Sequence, residues 1–328
     1  MTTSFSRALR TLRTALLLAL PLAAGIASAQ PAWPTKPVRL VVSYPAGGLA
    51  DIMARLLQQP LTQALGQPIV IDNRGGAAGN LAADVVAKSN DGHTFLVTTS
   101  TTESVNPVMF DRMPFDPAKD LVHVALLANS RLFLVTKPDL PVNSVKELIA
   151  YARANPGKLS YASAGAGTTP HLAGEMLKQN AGIFATHVPY RGAAPAIQDV
   201  LAGQVDFSFV PGTALSHVRA GKMKLLAVAS KTRTPDAPEV PTVAEQGGGD
   251  VFADTLFGIY APAGTRPDVI ERLNREINKV LVLPATKARF AEVGAEPAPM
   301  SPAEFKAVVA AEAVHFGAIV KARRIKPD

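Results

Sequence analysis

The chain has 328 residues, 48% of them hydrophobic, and 33 Lys and Arg against 26 Asp and Glu give a formal net charge of +7. With no cysteine, disulfides and thiolate metal sites are excluded. No Lys/Arg-dense stripe with interleaved aromatics occurs, which argues against nucleic acid as a partner.

The start reads as a targeting segment. Arg7, Arg10 and Arg13 precede an apolar run from Ala15 to Ala24, and Ala27-Ser28-Ala29 before Gln30 fits a cleavage site, so residues 1–29 are expected to be a secretory signal peptide. The run is too short, and too broken by Pro21 and Gly25, for a membrane span. Taking its three arginines from +7 leaves +4, mildly attractive to anions at long range. The roughly 300 residues that remain suit two domains.

Val38 to Ser43 is a β-branched run and predicts a strand. Pro45 to Gly48 breaks it, and Asp51 is expected to N-cap a helix running to about Leu65, kinked or ended early at Pro60. Such a junction aims free N–H groups and the positive helix end at one spot, where an anion can sit, although most such turns only connect elements. Pro68 to Asp72 predicts the next strand, and the glycine loop Asn73 to Asn80 opens a helix to about Lys88. Thr94 to Thr98 predicts a third strand, ending in the hydroxyl cluster Thr98 to Thr102, at the strand end where open α/β sheets bind ligands.

Leu121 to Leu127 and Arg131 to Thr136 read as strands, and Pro138 and Pro141 mark a first crossing between domains. Ser144 caps a helix from Val145 to Ala154. A second unit follows: a strand from Leu159 to Ala162, a glycine loop from Ser163 to Pro170, and a helix from His171 to Asn180 with Thr169 as N-cap. Strands are expected at Thr186–Val188, Asp206–Val210 and Lys224–Ala229, separated by helices at Ala194–Ala202 and Thr213–Ala220. Leu256 to Ala261 is the return crossing, followed by helices at Pro267–Leu281, Ala285–Val293 and Ser301–Lys321. This alternation predicts an α/β chain with mainly parallel sheets. One domain would span 30–135 plus 257–328, the other 136–256, and the two helix N-termini would converge on a cleft suited to a small carboxylate.

Chemistry-bearing residues are few. The six histidines have no HExxH spacing, and neither a GxSxG elbow nor a phosphate-binding P-loop occurs. Ser163 has no base placed beside it by sequence, so catalysis is not expected. Asp51 reads as a cap, since a carboxylate ligand would be repelled by it. His171 divides evenly between packing and ligand contact. Arg191 is either a bidentate carboxylate fork or a solvated rim residue. Tyr44 reads as a pocket wall, the threonines as ligand contacts and Glu103 as a solvated residue.

Taken together, Ser43-Tyr44-Pro45-Ala46-Gly47-Gly48 with Asp51, Asp72-Asn73-Arg74, Tyr161-Ala162-Ser163-Ala164-Gly165, His171-Leu172-Ala173-Gly174-Glu175, His187-Val188-Pro189-Tyr190-Arg191-Gly192 and Ala261-Pro262-Ala263-Gly264-Thr265 resemble one family. The chain is similar to substrate-binding receptors of the tripartite tricarboxylate transporter family, the Bug receptors. The resemblance implies an α/β, two-domain type II periplasmic binding protein clamshell with a ligand cleft between the lobes. It implies a periplasmic monomer that needs no cofactor or metal, binds a small-molecule carboxylate and hands it to a tripartite tricarboxylate-type membrane permease. A ligand-sensing role beside a membrane signalling partner, or remotely an exported hydrolase, are the alternatives.

Carried over from the family, the first loop Tyr44, Ala46, Gly47, Gly48, Leu49, Ala50 and Asp51 and the second loop Ser163, Ala164, Gly165, Thr168, Thr169 and His171 would clasp one carboxylate. Gly47 and Gly165 would be the points of closest backbone approach. Thr99, Ser100 and Thr101, with Tyr190, Arg191 and Pro211, would line the rest. Leu49-Ala50 replaces polar positions of many relatives, Val210-Pro211-Gly212 stands where many have an acidic residue then asparagine, and Gly75 replaces a common proline. These departures imply a ligand with an apolar body and no ammonium group.

Overall fold

The computed structural model describes residues 33–234 and 237–327, so the expected signal peptide lies outside the described residues. The chain divides into two units, Met1–Thr35 and Lys36–Asp328. Of the first, residues 33–35 are described and carry no helix or strand.

In chain order the main elements of the second unit are β1 (Val38–Val42), α1 (Leu49–Leu65), β2 (Ile69–Asn73), α2 (Asn80–Ala87), β3 (Thr94–Thr99), β4 (Leu121–Ser130) and β5 (Leu132–Thr136). Then come α3 (Val145–Ala154), β6 (Ser160–Ser163), α4 (Thr169–Ala181), β7 (Thr186–Pro189), α5 (Ala193–Leu201), β8 (Phe207–Pro211) and β9 (Lys224–Val228). The last are β10 (Thr255–Pro262), α6 (Pro267–Leu281), α7 (Pro284–Glu292), β11 (Ala295–Pro297) and α8 (Pro302–Arg323).

Helix positions follow from apolar spacing and end chemistry. In α6, Val269, Leu273, Ile277 and Leu281 recur at four-residue intervals and are buried. In α1 the same spacing, Met53, Leu57, Leu61 and Leu65, runs through Pro60, so the helix does not stop there as expected. Burial of Leu61 and Leu65 outweighs a proline penalty of about 3 kcal/mol. The helix ends at Gly66, whose φ of 71° a side chain would strain. Ser144 caps α3 through the Glu147 N–H as expected. Ser301 and Glu304 cap α8 reciprocally.

The strands form a six-stranded sheet ordered β11-β4-β10-β3-β1-β2 and a five-stranded sheet ordered β7-β6-β8-β5-β9. The expectation of mainly parallel sheets needs correction. β10 runs antiparallel between β3 and β4, and β5 runs antiparallel between β8 and β9. Both are crossing strands, which enter their sheet from the other one and so travel against their neighbours. Only Arg131 separates β4 in the first sheet from β5 in the second. The first crossing is therefore at Arg131 rather than near Pro138, and Leu132–Thr136 belongs with the second sheet, not with residues 30–135.

Each sheet with its helices makes one lobe. In the first, α2 and the start of α8 pack against Val41, Leu96 and Tyr260, while α1 lies against β1, β2 and β3 and packs on α6. In the second, alternation along β5 sends Leu132 and Leu134 into one apolar layer, under α3 and α4, and Phe133 and Val135 into another, under α5. Helix α8 spans both lobes. Phe305 and Val309 sit in the first lobe's core, whereas Phe316, Val320 and the following Ile325 sit in the second's. That end of the chain departs from the 257–328 assignment to the first domain.

The Phe305 ring fills the space over Gly258 in β10, where an added Cβ would lie closer than 3.0 Å to two ring carbons and 3.2 Å from a third. Gly258→Ala is expected to destabilise the chain by about 1–3 kcal/mol through overpacking. The urea-unfolding midpoint measures it, and Phe305→Leu in the same chain should restore part of the loss.

Candidate functional site

A cavity of about 200 Å³ lies between the two sheets at their strand ends. Three helix N-termini line it: Gly48, Leu49 and Ala50 at α1, Thr168, Thr169 and Pro170 at α4, and Gly192, Ala193, Ala194 and Pro195 at α5. The first N–H groups of a helix have no intrahelical acceptor, and the macrodipole puts partial positive charge there. Sequence reasoning expected two such ends. The third had a signal, Gly192-Ala193-Ala194-Pro195 after the Thr186–Val188 strand, the same strand–glycine–helix pattern as the other two.

The α1 junction is built from within. Gly48, not Asp51, is the N-cap. Asp51 sits in the first turn, buried, with its carboxylate accepting the Gly47 N–H at 2.9 Å and Arg55 Nε at 2.9 Å. Burial pushes its pKa up, but the bonds from Arg55 and Gly47 outweigh this and hold the carboxyl below its usual range. Asp51 is thus neutralised behind the loop and does not line the cavity. Asn73 Nδ2 donates to the Tyr44 carbonyl at 3.1 Å and pins the loop from the β2 side.

Hydroxyls form one wall. Tyr44 Oη lies 2.9 Å from Thr99 Oγ1, which lies 2.7 Å from Thr101 Oγ1. Burial raises the Tyr44 pKa, so it stays a neutral donor. A second row behind it, Ser43 to Thr98 at 2.7 Å and Thr98 to Thr102 at 2.8 Å, fixes the strand ends. Ser100 is buried with its N–H given to the Leu256 carbonyl, and it does not reach the cavity.

The α4 loop is held from behind by residues expected to touch ligand. Ala164, Thr168 and Thr169 line the cavity, whereas Ser163, Gly165 and His171 do not. The Gly165 N–H donates to Ser163 Oγ at 3.1 Å, and that oxygen lies 2.7 Å from His187 Nε2. The Gly167 N–H donates to His171 Nδ1 at 3.1 Å, which leaves the imidazole proton on Nε2. Burial, and then the neighbouring His187, depress the His171 pKa to about 3, so it is neutral. The two imidazoles stack at 3.8 Å, and Tyr161 stacks on His187 at 4.9 Å. Below them Glu175 accepts bonds from Tyr161 Oη at 2.8 Å, Lys178 Nζ at 2.5 Å and Arg323 Nε at 2.7 Å.

Of the other expected residues, Ala46, Arg191 and Pro211 line the cavity. Gly47 and Tyr190 do not: Gly47 turns the chain at φ 81°, and the Tyr190 hydroxyl donates to Asp199 at 2.6 Å, its pKa raised to about 12 by burial and that carboxylate. Ser130, Leu132, Thr255 and Phe257 line the floor and were not foreseen. Leu132 of β5 and Thr255 and Phe257 of β10 lie on the crossing strands and Ser130 ends β4 beside them, so the antiparallel pairing of β5 and β10 brings the floor together. Thr169 of the second lobe and Thr255 of the first are hydrogen-bonded through their hydroxyls. Arg191 is the one charged side chain lining the cavity, is exposed, and has no ion-pair partner among the described residues.

A family model described as tripartite tricarboxylate transporter family receptor matches residues 53–325. Protein BugT of Bordetella pertussis is 36% identical over 304 residues, 91% of this chain and 93% of that protein. Among solved structures, R. palustris Rpa4515 with adipate superposes with a TM-score of 0.86 at 36% identity, over 90% of this chain and 100% of that one. MatC from Rhodopseudomonas palustris with bound malate gives 0.81 at 31% identity, over 88% and 100%.

The brace behind the α4 loop gives a pH dependence. Glu175 is buried, but bonds from Lys178, Arg323 and Tyr161 overcome desolvation and lower its pKa from 4.5 to about 2. A depressed folded-state pKa contributes stability that is complete above 4.5 and lost as pH falls through 2. Unfolding midpoints are expected to drop over that window, by up to about 3 kcal/mol from this group. Glu175→Gln should be less stable at neutral pH and fall less steeply on acidification; parallel slopes in the two proteins would assign the acid loss elsewhere.

Proposed function

The chain belongs to the tripartite tricarboxylate transporter receptor family, the periplasmic solute-binding proteins that include the Bug receptors, and from that premise we propose that it captures a small organic carboxylate by closing its two lobes on it. The observation that carries this is the convergence of three helix N-termini and a hydroxyl row on one cavity that no acidic side chain among the described residues lines. Backbone N–H groups and hydroxyls suit a carboxylate, and each helix end adds about 0.3–1 kcal/mol for an anion. The adipate of Rpa4515 and the malate of MatC are carboxylates held by relatives of the same architecture.

On this reading the lobes are hinged at Arg131 and at the return between β9 and β10. The closed form is handed to a membrane permease of the tripartite type, and the receptor acts as a monomer without cofactor or turnover. No helix among the described residues is long and apolar enough to cross a membrane. The Ser163–His187 pair resembles part of a hydrolytic constellation, but Ser163 is 1% exposed and off the cavity wall, so a bound ligand is out of its reach.

The walls also limit the ligand. Leu49, Ala50, Leu132, Pro211 and Phe257 are apolar, Asp51 is tied to Arg55, and Glu103 lies 2.8 Å from His123. A ligand ammonium would be buried without a counter-charge, at a cost of several kcal/mol. Aspartate and glutamate are therefore expected to bind at least about a hundredfold more weakly than succinate, adipate or benzoate. A thermal-shift panel with calorimetry checks the order, and a largest shift from an acidic amino acid would refute it. No shift from any carboxylate up to millimolar concentrations would count against the receptor reading itself.

Arg191 is placed in this reading as a rim contact to the anion. Arg191→Leu should weaken the best carboxylate of that panel by about ten- to a hundredfold, the size of a hydrogen bond to a charged group. The melting temperature without ligand should not change.

A further inference from the structure

We infer that Gly212 and Gly294 form a backbone stop that fixes how closely the two lobes approach, and that a side chain at Gly212 would hold the cleft ajar. Gly212 follows β8 in the second lobe, next to Pro211 of the cavity wall. Gly294 lies between α7 and β11 of the first. A Cβ added to Gly212 would fall within 3.0 Å of Gly294 Cα and within 3.4 Å of its N and carbonyl carbon. A Cβ added to Gly294 would lie 2.9 Å from both N and C of Gly212, closer still to its Cα. The lobes thus meet backbone to backbone, with no flexible side chain to give way.

The backbone does not itself demand glycine at position 212. Gly294 has φ +68°, where a side chain is strained, but Gly212 lies outside the left-handed region. Its lack of a side chain serves the contact across the lobes. The contact is also well placed to set closure. Gly294 accepts the Ser130 hydroxyl at 3.2 Å, and Pro211 pairs with Leu132, so both glycines adjoin the crossing at Arg131. A separation forced beside a pivot grows with distance from it, so about an ångström here opens the far rim by more. Packed backbones do not compress to absorb it.

The consequence for affinity rests on the receptor reading, but the stop can be tested without a ligand. The chain has no cysteine, and Thr169 and Thr255 touch across the lobes beside the same crossing. Thr169→Cys with Thr255→Cys should therefore form a disulfide under mild oxidant. Disulfide geometry tolerates little displacement, so adding Gly212→Ala should slow its formation at least about tenfold. The reduced proteins should melt together. Gly294→Ala should slow the reaction as well, and should also lower the melting temperature because of its positive φ.

Equal rates with glycine and alanine at 212 would overturn the inference. So would failure of the cysteine pair to oxidise in the Gly212 chain, since the close approach is then not visited. If Gly212→Ala does not fold, the contact is part of a fixed core and not a stop between moving lobes. None of these outcomes depends on which carboxylate binds. Weaker binding by Gly212→Ala of the best carboxylate of the panel is the further expected result.

Discussion

Two strands that run against their neighbours hold the architecture together. β10 enters the middle of the first sheet and β5 the middle of the second, each arriving from the other lobe. Because they pair on both sides, neither sheet is complete without a segment that has crossed. The crossing also fixes where the cavity is. Ser130, Leu132 and Thr255 become its floor because they are the residues at which the chain passes between sheets. The parallel strands on either side end near this level, and the helix starts that follow them are turned toward one volume. Arg131 ties the two passages together through Ser230, whose hydroxyl in turn donates to Asp254.

The site draws its positive potential chiefly from peptide dipoles, with Arg191 the single ionic side chain at its rim among the described residues. The charged residues near it are engaged elsewhere. Asp51 with Arg55 braces one loop, and Glu175 with Lys178 and Arg323 braces the other. These groups brace the loops from behind, and none of their side chains lines the cavity. Fixed N–H groups need no reorganisation when an anion arrives, and little side-chain entropy is lost in ordering them.

Much of this was legible in the sequence, and the failures have physical causes. Strand and helix positions follow from apolar period and punctuation, so β1, the α1 junction and α6 stand within a few residues of expectation. Of the kink or early end expected at Pro60, the early end is absent because Leu57, Leu61 and Leu65 continue one buried stripe across it. Asp51 was read as the cap from local preference, whereas the glycine before Leu49 takes that place and the carboxylate reaches back from inside the first turn. Strand direction is not encoded locally, so the antiparallel insertion of β5 and β10 was missed, and with it the floor of the cavity. Ser163, Gly165 and His171 carry the right motif, but the cavity face of that loop is Ala164, Thr168 and Thr169. Which side of a glycine loop faces the cavity depends on what stands behind it, here His187, 24 positions beyond Ser163 in the sequence.

Helix α8 bears on how the molecule comes together in time. The first sheet lacks its central β10 until residue 255 and beyond are available, and the second lobe's core lacks Phe316, Val320 and Ile325 until the final helix arrives. Contacts such as Ser104 with Glu312 and Glu175 with Arg323 join residues 208 and 148 positions apart. Loop-closure entropy must be met before such pairings add stability, so folding is expected to be slow and neither lobe's core is complete until late segments of the chain join it. A growing chain of this design remains open until nearly all of it has been made. That is the condition a protein needs if it is to be threaded through a membrane pore before it folds.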